Sequence, residues 1–314
     1  MLELAEVPAP APGPGEVLIQ VTAAGVNRAD LLQRQGHYPP PPGASPLIGL
    51  EVSGHVCGLG GDVLGWAVGD PCVALLAGGG YAEFVVVPAG QVLRPPPGLD
   101  LVAAAGVVEV AATVTSNLAL AQLRAGEVFL VHGGAGGIGS FAIQYAAALG
   151  ATVIATAGSP DKLDYCRLVG AHHAVSYRSD WAAEIRRLAP GGVDVILDGV
   201  GAKYLADHQA VLATGGRLVV IGLQGGTRAT IDLARLLATR TLVTATSLRA
   251  RPPAEKAAIC GRVADQIWPL FAGGTLKPAP QTVFPLAEAA AAHTHLESGD
   301  NLGKVVLAVA DPRR

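Results

Sequence analysis

VFLVHGGAGGIGSFAIQYAAALGA, residues 128–151, runs from an apolar strand pattern through a glycine-rich turn into a helical pattern. Gly134, Gly136 and Gly139 stand in it at the spacing G-x-G-x-x-G, with Gly137 and Ile138 between the last two. Glycines placed so permit a tight turn, let backbone approach a pyrophosphate and let helix pack on strand, while the first helical turn offers unpaired N–H groups to an anion. The spacing alone is a weak signal, because a glycine-rich connector with no ligand would carry it too. A strand before it, an amphipathic helix after it and the strand TVIAT at 152–156 set it in a βαβ unit, which favours a dinucleotide site.

Working outward, the chain from about residue 109 alternates apolar strands with helical patterns. Strands are expected at 127–132, 152–156, 173–176, 193–198, 217–221 and 241–246, enough for a complete doubly wound Rossmann sheet. Before residue 100, short runs such as EVLIQVTA, EVSGHVCGL and YAEFVVV alternate with Gly and Pro and predict a compact, largely antiparallel β-rich domain, with a short helix beginning near Asn27. After residue 250 the texture is irregular and ends in the strand-like KVVLAVA, which rejoins the first domain. Proline-rich loops at 8–15, 39–46, 94–97 and 250–253 punctuate this plan. The expected class is α/β, with residues 1–110 and 249–314 forming one domain and 111–248 the nucleotide-binding one.

Two domains suit 314 residues. Half of the residues are hydrophobic and 15% are charged, yet no run of about 18 is apolar without a polar break, so no membrane span is expected. MLELAEVPAPAPGPGE lacks the basic start and apolar stretch of a secretory signal, which predicts a cytoplasmic protein. With a net charge of −3 and scattered lysines and arginines, no basic stripe awaits a phosphate backbone, and no nucleic-acid partner is expected. Cys57, Cys72, Cys166 and Cys260 are too dispersed for a zinc knuckle or a disulfide framework and read as reduced, mostly buried thiols.

An enzyme that uses NADH ordinarily offers an acid to the ribose at the end of the second strand. Here that place reads AGSPDKL, 157–163. Gly158 and Ser159 leave room for a 2′-phosphate, Lys162 can donate to it, and Tyr177 and Arg178 can close the far side. Equally, Ser159 can be a helix cap and Lys162 a solvated charge, and Asp161 could face the ribose. NADPH is the expected cofactor.

GVNRADLLQRQGHYPPPPGASPLIGLEVSG at 25–54, the GGAGGIG turn and NLGKVVL at 301–307 resemble the zinc-independent quinone oxidoreductases of the medium-chain dehydrogenase/reductase superfamily, in the group of ζ-crystallin and the p53-inducible quinone oxidoreductase. The resemblance covers nearly the whole chain. It implies a GroES-like catalytic domain built from both chain ends, a Rossmann domain between them, a cleft where they meet, and reduction of a quinone by NADPH. It also implies one more N-terminal strand than this chain shows. Carried over by motif, Asn27 and Tyr38 face the substrate and Thr113 lies near the nicotinamide. Gly134, Gly136, Gly137, Ile138, Gly139, Ser159, Lys162, Tyr177, Gly222, Leu223, Asn301 and Lys304 are assigned to the cofactor. The zinc alcohol dehydrogenases of the superfamily have Cys where this chain has Asn27 and His where it has Leu50, and neither an amide nor an aliphatic group serves that metal, so zinc-free chemistry is expected. The resemblance and an apolar last strand, TLVTATS at 241–247, together imply a homodimer.

Among the candidates, Asn27 followed by Asp30 also makes a good helix cap. Tyr38 lies among prolines, where its phenol can donate to a carbonyl oxygen as charge develops or its ring can stack on proline. His37 is the only histidine beside a candidate site; His132 reads as packing beneath the turn, and His172 and His173 precede a strand elsewhere. The rival activities are a 2-alkenal or enoyl-thioester reductase on the same domain pair, and a catalytically silent NADPH-binding protein.

Overall fold

A computed structural model describes residues 2–309. They fall into two compact units, one comprising the residues up to Ala112 together with those from Leu248 onward, the other Thr113–Ser247.

In the first unit, alternation of buried and half-exposed residues along β1 (Glu16–Val26) marks a strand with one face in a core. It pairs antiparallel with β2 (Glu51–Leu59) and with β4 (Phe84–Pro88). β3 (Pro71–Leu75) and β5 (Val92–Leu93) extend the sheet beyond β2. The core beneath it gathers Val17, Ile19, Val21, Val52, Val56, Val85 and Val87.

The second unit is a six-stranded parallel sheet of β6 (Val128–Val131), β7 (Thr152–Ala157), β8 (His173–Ser176), β9 (Val193–Asp198), β10 (Leu212–Val220) and β11 (Leu242–Ala245). Its spatial order is β11-β10-β9-β6-β7-β8. Chain direction therefore switches between β6 and β9, and in such sheets ligands sit outside the carboxyl ends of the strands at that switch. Five of the six strands lie within a residue or so of their expected places. The exception is β10, which begins at Leu212 and carries an irregularity between Leu212 and Arg217. That edge-ward segment contains Thr214, Gly215 and Gly216, which read as a turn by composition.

The chain closes the first sheet late: β12 (Gln281–Pro285) runs parallel to β13 (Lys304–Ala308), and β13 pairs antiparallel with β1, Val305 opposite Val26. The pairing sets Lys304 at the end of β1 beside Asn27. The helices that matter below are α1 (Arg28–Arg34), α2 (Leu101–Ala104), α3 (Val108–Leu120), α4 (Gly137–Ala148) and α5 (Pro160–Leu168). The stretch Leu101–Leu120 is long and apolar enough to cross a membrane, and 78% of it is packed inside the protein.

Candidate active site

The candidate dinucleotide site of the second unit is made of backbone. Gly134 N–H bonds to Thr156 O of β7 at 2.8 Å, tying the turn to the neighbouring strand, and Gly136 N–H closes onto Gly133 O at 3.0 Å. Helix α4 then starts from Gly136, whose missing side chain leaves the helix end without a side-chain cap. A Cβ on Gly139 would collide with Gly133 O and come within 2.6 Å of Gly134 Cα, so helix and turn touch only because this residue has none. The arrangement offers an anion a short helix entry with bare N–H groups, which fits a dinucleotide pyrophosphate.

At the end of β7 the tyrosine of YRS lies over Gly158, where any Cβ would strike the Tyr177 hydroxyl. Ser159 stands at the N-cap of α5, but its side chain makes no capping hydrogen bond. Pro160 follows at the first helical position, Asp161 is exposed and Lys162 is half-buried. On the far side of the switch, Gly222 packs its backbone on Gly199, and Leu223 is 53% exposed. Thr113 is buried on α3, its carbonyl accepting from Ser116 Oγ and Asn117 Nδ2 at 3.1 and 2.7 Å.

Beneath the turn, His132 is more than packing. Its Nδ1 meets Thr156 Oγ1 at 3.0 Å and its Nε2 meets His208 Nε2 at 2.8 Å, with Trp181 and Tyr204 rings against it. Asp198, at the end of β9, accepts from Val200 and Gly201 N–H and lies 3.9 Å from His208 Nδ1. Burial drives both imidazoles toward the neutral form, His208 down to about 3 and His132 well below its usual value, and pushes Asp198 up to about 6.

The polar cluster of the first unit is made of side chains. Asn27 caps α1, and Asp30 reaches back to Asn27 N–H at 2.7 Å. The Asn27 amide points elsewhere: Nδ2 donates to Glu51 Oε1 at 2.9 Å, and Oδ1 accepts from Lys304 Nζ at 2.6 Å. Lys304 also donates to Glu51 Oε1 at 2.6 Å and Val26 O at 3.2 Å, which uses all three ammonium hydrogens. Asp30 is fully buried, and desolvation lifts its carboxyl to about 7. Asp30 accepts from Tyr81 Oη at 3.3 Å and from Gly49 N–H at 3.2 Å, and Tyr81 Oη lies 3.0 Å from His293 Nε2, a ring that burial holds neutral by lowering it to about 4.

Tyr38 is half-buried on the proline loop, and Arg249 grips that loop: Nη1 donates to Tyr38 O at 2.9 Å, Nε to Ala77 O at 2.8 Å, Nη2 to Gln33 Oε1 at 2.7 Å. The guanidinium also lies 5.2 Å from the Tyr38 ring centroid. His37 is exposed. Asn301 Nδ2 donates to Gly303 O at 3.3 Å, in the turn leading into β13. Sequence reasoning named Asn27, Tyr38 and Lys304 but missed Glu51 and Arg249. Glu51 had a signal, an acid between the apolar Leu50 and Val52 where a strand runs into a core; Arg249, in a proline-marked loop, had none.

Two family models match: the alcohol dehydrogenase GroES-like domain over residues 13–97 and the zinc-binding dehydrogenase domain over residues 137–259. The chain is 37% identical over 98% of its length to part of a Mycobacterium tuberculosis phthioceranic/hydroxyphthioceranic acid synthase, of which it spans only 14%. It is 30% identical to a Burkholderia 2-haloacrylate reductase, covering 96% of this chain and 93% of that one. Escherichia coli quinone oxidoreductase, solved with NADPH, superposes with a TM-score of 0.87 at 27% identity, covering 97% of this chain and 94% of that one. A GroES-like sheet joined by both chain ends, a doubly wound sheet with its glycine turn at the switch point, and full-length kinship to a reductase together make this chain a member of the medium-chain dehydrogenase/reductase superfamily of oxidoreductases.

Proposed function

We propose that this oxidoreductase uses NADPH to reduce quinones, with the Asn27 amide and the Tyr38 phenol donating hydrogen bonds to the acceptor's oxygens. The carrying observation is the Asn27 amide, 8% exposed and fixed by Glu51 and Lys304, with one amide hydrogen beyond the bond to Glu51. A fixed donor aimed at an oxygen that gains charge stabilises the transition state more than the ground state. When bound, NADPH supplies the hydride. Gly134, Gly136, Gly137, Ile138 and Gly139 would hold its pyrophosphate, Ser159, Lys162 and Tyr177 its adenosine end, and Thr113, Gly222, Leu223 and Asn301 its nicotinamide half. Lys304, expected at the cofactor, donates to Asn27 Oδ1, Glu51 Oε1 and Val26 O, and in this proposal it acts through Asn27.

The residues at the zinc alcohol dehydrogenase positions, Asn27 and Leu50, do not form a zinc set, which favours an acceptor that needs no Lewis acid. Kinship to a 2-haloacrylate reductase favours a second reading, hydride delivery to a C=C bond conjugated to a carbonyl. Steady-state oxidation of NADPH and NADH against quinones, 2-alkenals and acyl thioesters separates the two. Quinone turnover that falls in Asn27→Ala and Tyr38→Phe, with NADPH affinity retained, supports the proposal; turnover with enals or thioesters alone replaces it with the second reading. A homodimer through the β11 edge, where Leu242 is 53% exposed, is part of the proposal. Light scattering should report it, and Val243→Pro should dissociate it.

A further inference from the structure

We infer that Glu51 and Lys304 form a charge clamp that fixes which way round the Asn27 amide stands, making both of them positioning residues for the acceptor site. This rests on the reading of Asn27 as a donor to the acceptor, and it adds a residue, Glu51, that neither that reading nor the motifs supply.

An asparagine side chain is nearly symmetric in shape but not in chemistry, and a half-turn about its last bond exchanges a donor for an acceptor. What decides the orientation is what lies on either side. Lys304 Nζ offers only hydrogens and stands 2.6 Å from Oδ1; Glu51 Oε1 offers only lone pairs and stands 2.9 Å from Nδ2. The flipped amide would put NH₂ against ammonium and carbonyl against carboxylate. Two repulsions would replace two charge-assisted bonds inside a region where Glu51 is 0% and Lys304 5% exposed.

The clamp is itself anchored. Glu51 Oε1 holds the Lys304 ammonium, and Oε2 accepts from Glu109 N–H at the start of α3 at 3.0 Å, so neither oxygen can swing away. Room for the carboxylate comes from Gly25, where a Cβ would collide with Glu51 Oε1. Lys304 is held from its own side by Val26 O. The three residues come from β1's end, β2's start and β13's start, elements joined by sheet hydrogen bonds, so the geometry is fixed by strand register. The consequence for chemistry is directional: the amide turns its remaining N–H, and not its carbonyl, toward whatever occupies the site, which selects for acceptors presenting an oxygen lone pair.

Glu51→Gln is the decisive variant, since glutamine is nearly the same size but offers both a donor and an acceptor and so no longer dictates the flip. Quinone kcat should fall about tenfold with NADPH Kd unchanged, and in an Asn27→Ala background Glu51→Gln should have no further effect on kcat. A readout independent of turnover is the Asn27 side-chain amide resonance in an ¹H–¹⁵N spectrum, assigned by its loss in Asn27→Ala. It should exchange slowly with solvent in the wild type and markedly faster in Glu51→Gln. Because Glu51→Gln leaves Lys304 buried without its carboxylate, Glu51→Gln/Lys304→Met removes both charges; thermal stability should then recover while kcat stays low. Wild-type kcat in that double variant, an unaltered amide resonance in Glu51→Gln, or equal fold-losses with and without Asn27 would overturn the clamp. Full activity in Asn27→Ala would instead sink the donor role of Asn27, leaving the amide resonance to decide the clamp by itself.

Discussion

The two units carry candidate sites built from different materials. In the second unit the turn from Gly133 to Gly139 binds through backbone, and its buried polar cluster, His132, His208 and Thr156, is held neutral by burial. In the first unit Asn27, Glu51 and Lys304 work through side chains and include a full ion pair, 2.6 Å long and almost completely buried. A backbone site tolerates changes in side chains but not added volume. A charged side-chain site tolerates volume at its edges but not the loss of one partner.

That contrast predicts the largest effect at Gly139. Gly139→Val must push apart the turn and α4, whose backbones already touch, so the second unit should lose upward of about 5 kcal/mol and fail to reach its native packing. Near-ultraviolet circular dichroism and limited proteolysis would show it; a natively folded variant that still binds NADPH would mean the backbone is less tightly committed than the contact distances say.

Next is Lys304→Met. Removing the cation leaves Glu51 fully buried without its partner, and breaking such a pair costs about 3–5 kcal/mol. Urea unfolding should report that loss in full, and a loss below 1 kcal/mol would place the pair among the weak exposed ones.

A smaller effect separates the two units by pH. In the second unit, His132 and His208 refuse a proton that the unfolded chain accepts near 6.5, so their contribution is present above 6.5 and lost as pH falls toward 3. Asp198, raised to about 6, contributes in the reverse sense, gaining stability as pH falls from 6 to 3.8, and offsets one of them. In the first unit the opposing groups are one of each: Asp30, raised to about 7, gains as pH falls, while His293, lowered to about 4, loses between 6.5 and 4. Between pH 7 and 5 the first unit should therefore hold level and the second lose about 2–3 kcal/mol. Hydrogen exchange of β6 and β9 amides, corrected for intrinsic rates and compared with β1, measures the difference. Equal protection changes in both sheets would contradict it, and His208→Phe should remove most of the pH response.

The same contrast explains what could be read from the residues alone. A backbone site announces itself in one contiguous stretch, because glycine is the only residue that meets its demands; the turn, its helix and five of the six strands follow from local spacing. The clamp is assembled from positions 27, 51 and 304, brought together by the pairings of β1 with β2 and of β1 with β13. No local pattern encodes those registers. The family likeness pointed at Asn27 and Lys304 one by one, but that they share Glu51, and that Lys304 spends one hydrogen each on the amide, Glu51 and Val26 O, is a property of the sheet. Arg249, which fixes the loop of Tyr38 from more than two hundred positions away, was invisible for the same reason.

The smallest effect falls where the backbone-built site does use a side chain. β7 ends in Ala157, and Gly158 and Ser159, rather than an acid, stand directly at the strand end where NADH enzymes hold both ribose hydroxyls. Asp161 is exposed in the first turn of α5, whereas Lys162 is half-buried and Tyr177 lies across Gly158 beside it. A 2′-phosphate there would gain one charge-assisted bond, about 1.5–3 kcal/mol when fully formed. Solvent screening at a half-exposed lysine reduces that to about 1.4 kcal/mol, a tenfold ratio of affinities. Lys162→Ala should therefore lower the preference for NADPH over NADH roughly tenfold by weakening NADPH and leaving NADH unchanged, with no change in thermal stability. Fluorescence titration of both cofactors into both proteins measures the ratio. Equal affinities in the wild type, or a ratio that Lys162→Ala leaves intact, would assign the discrimination to backbone and Ser159 alone and make the nucleotide site of the second unit free of side-chain charge throughout.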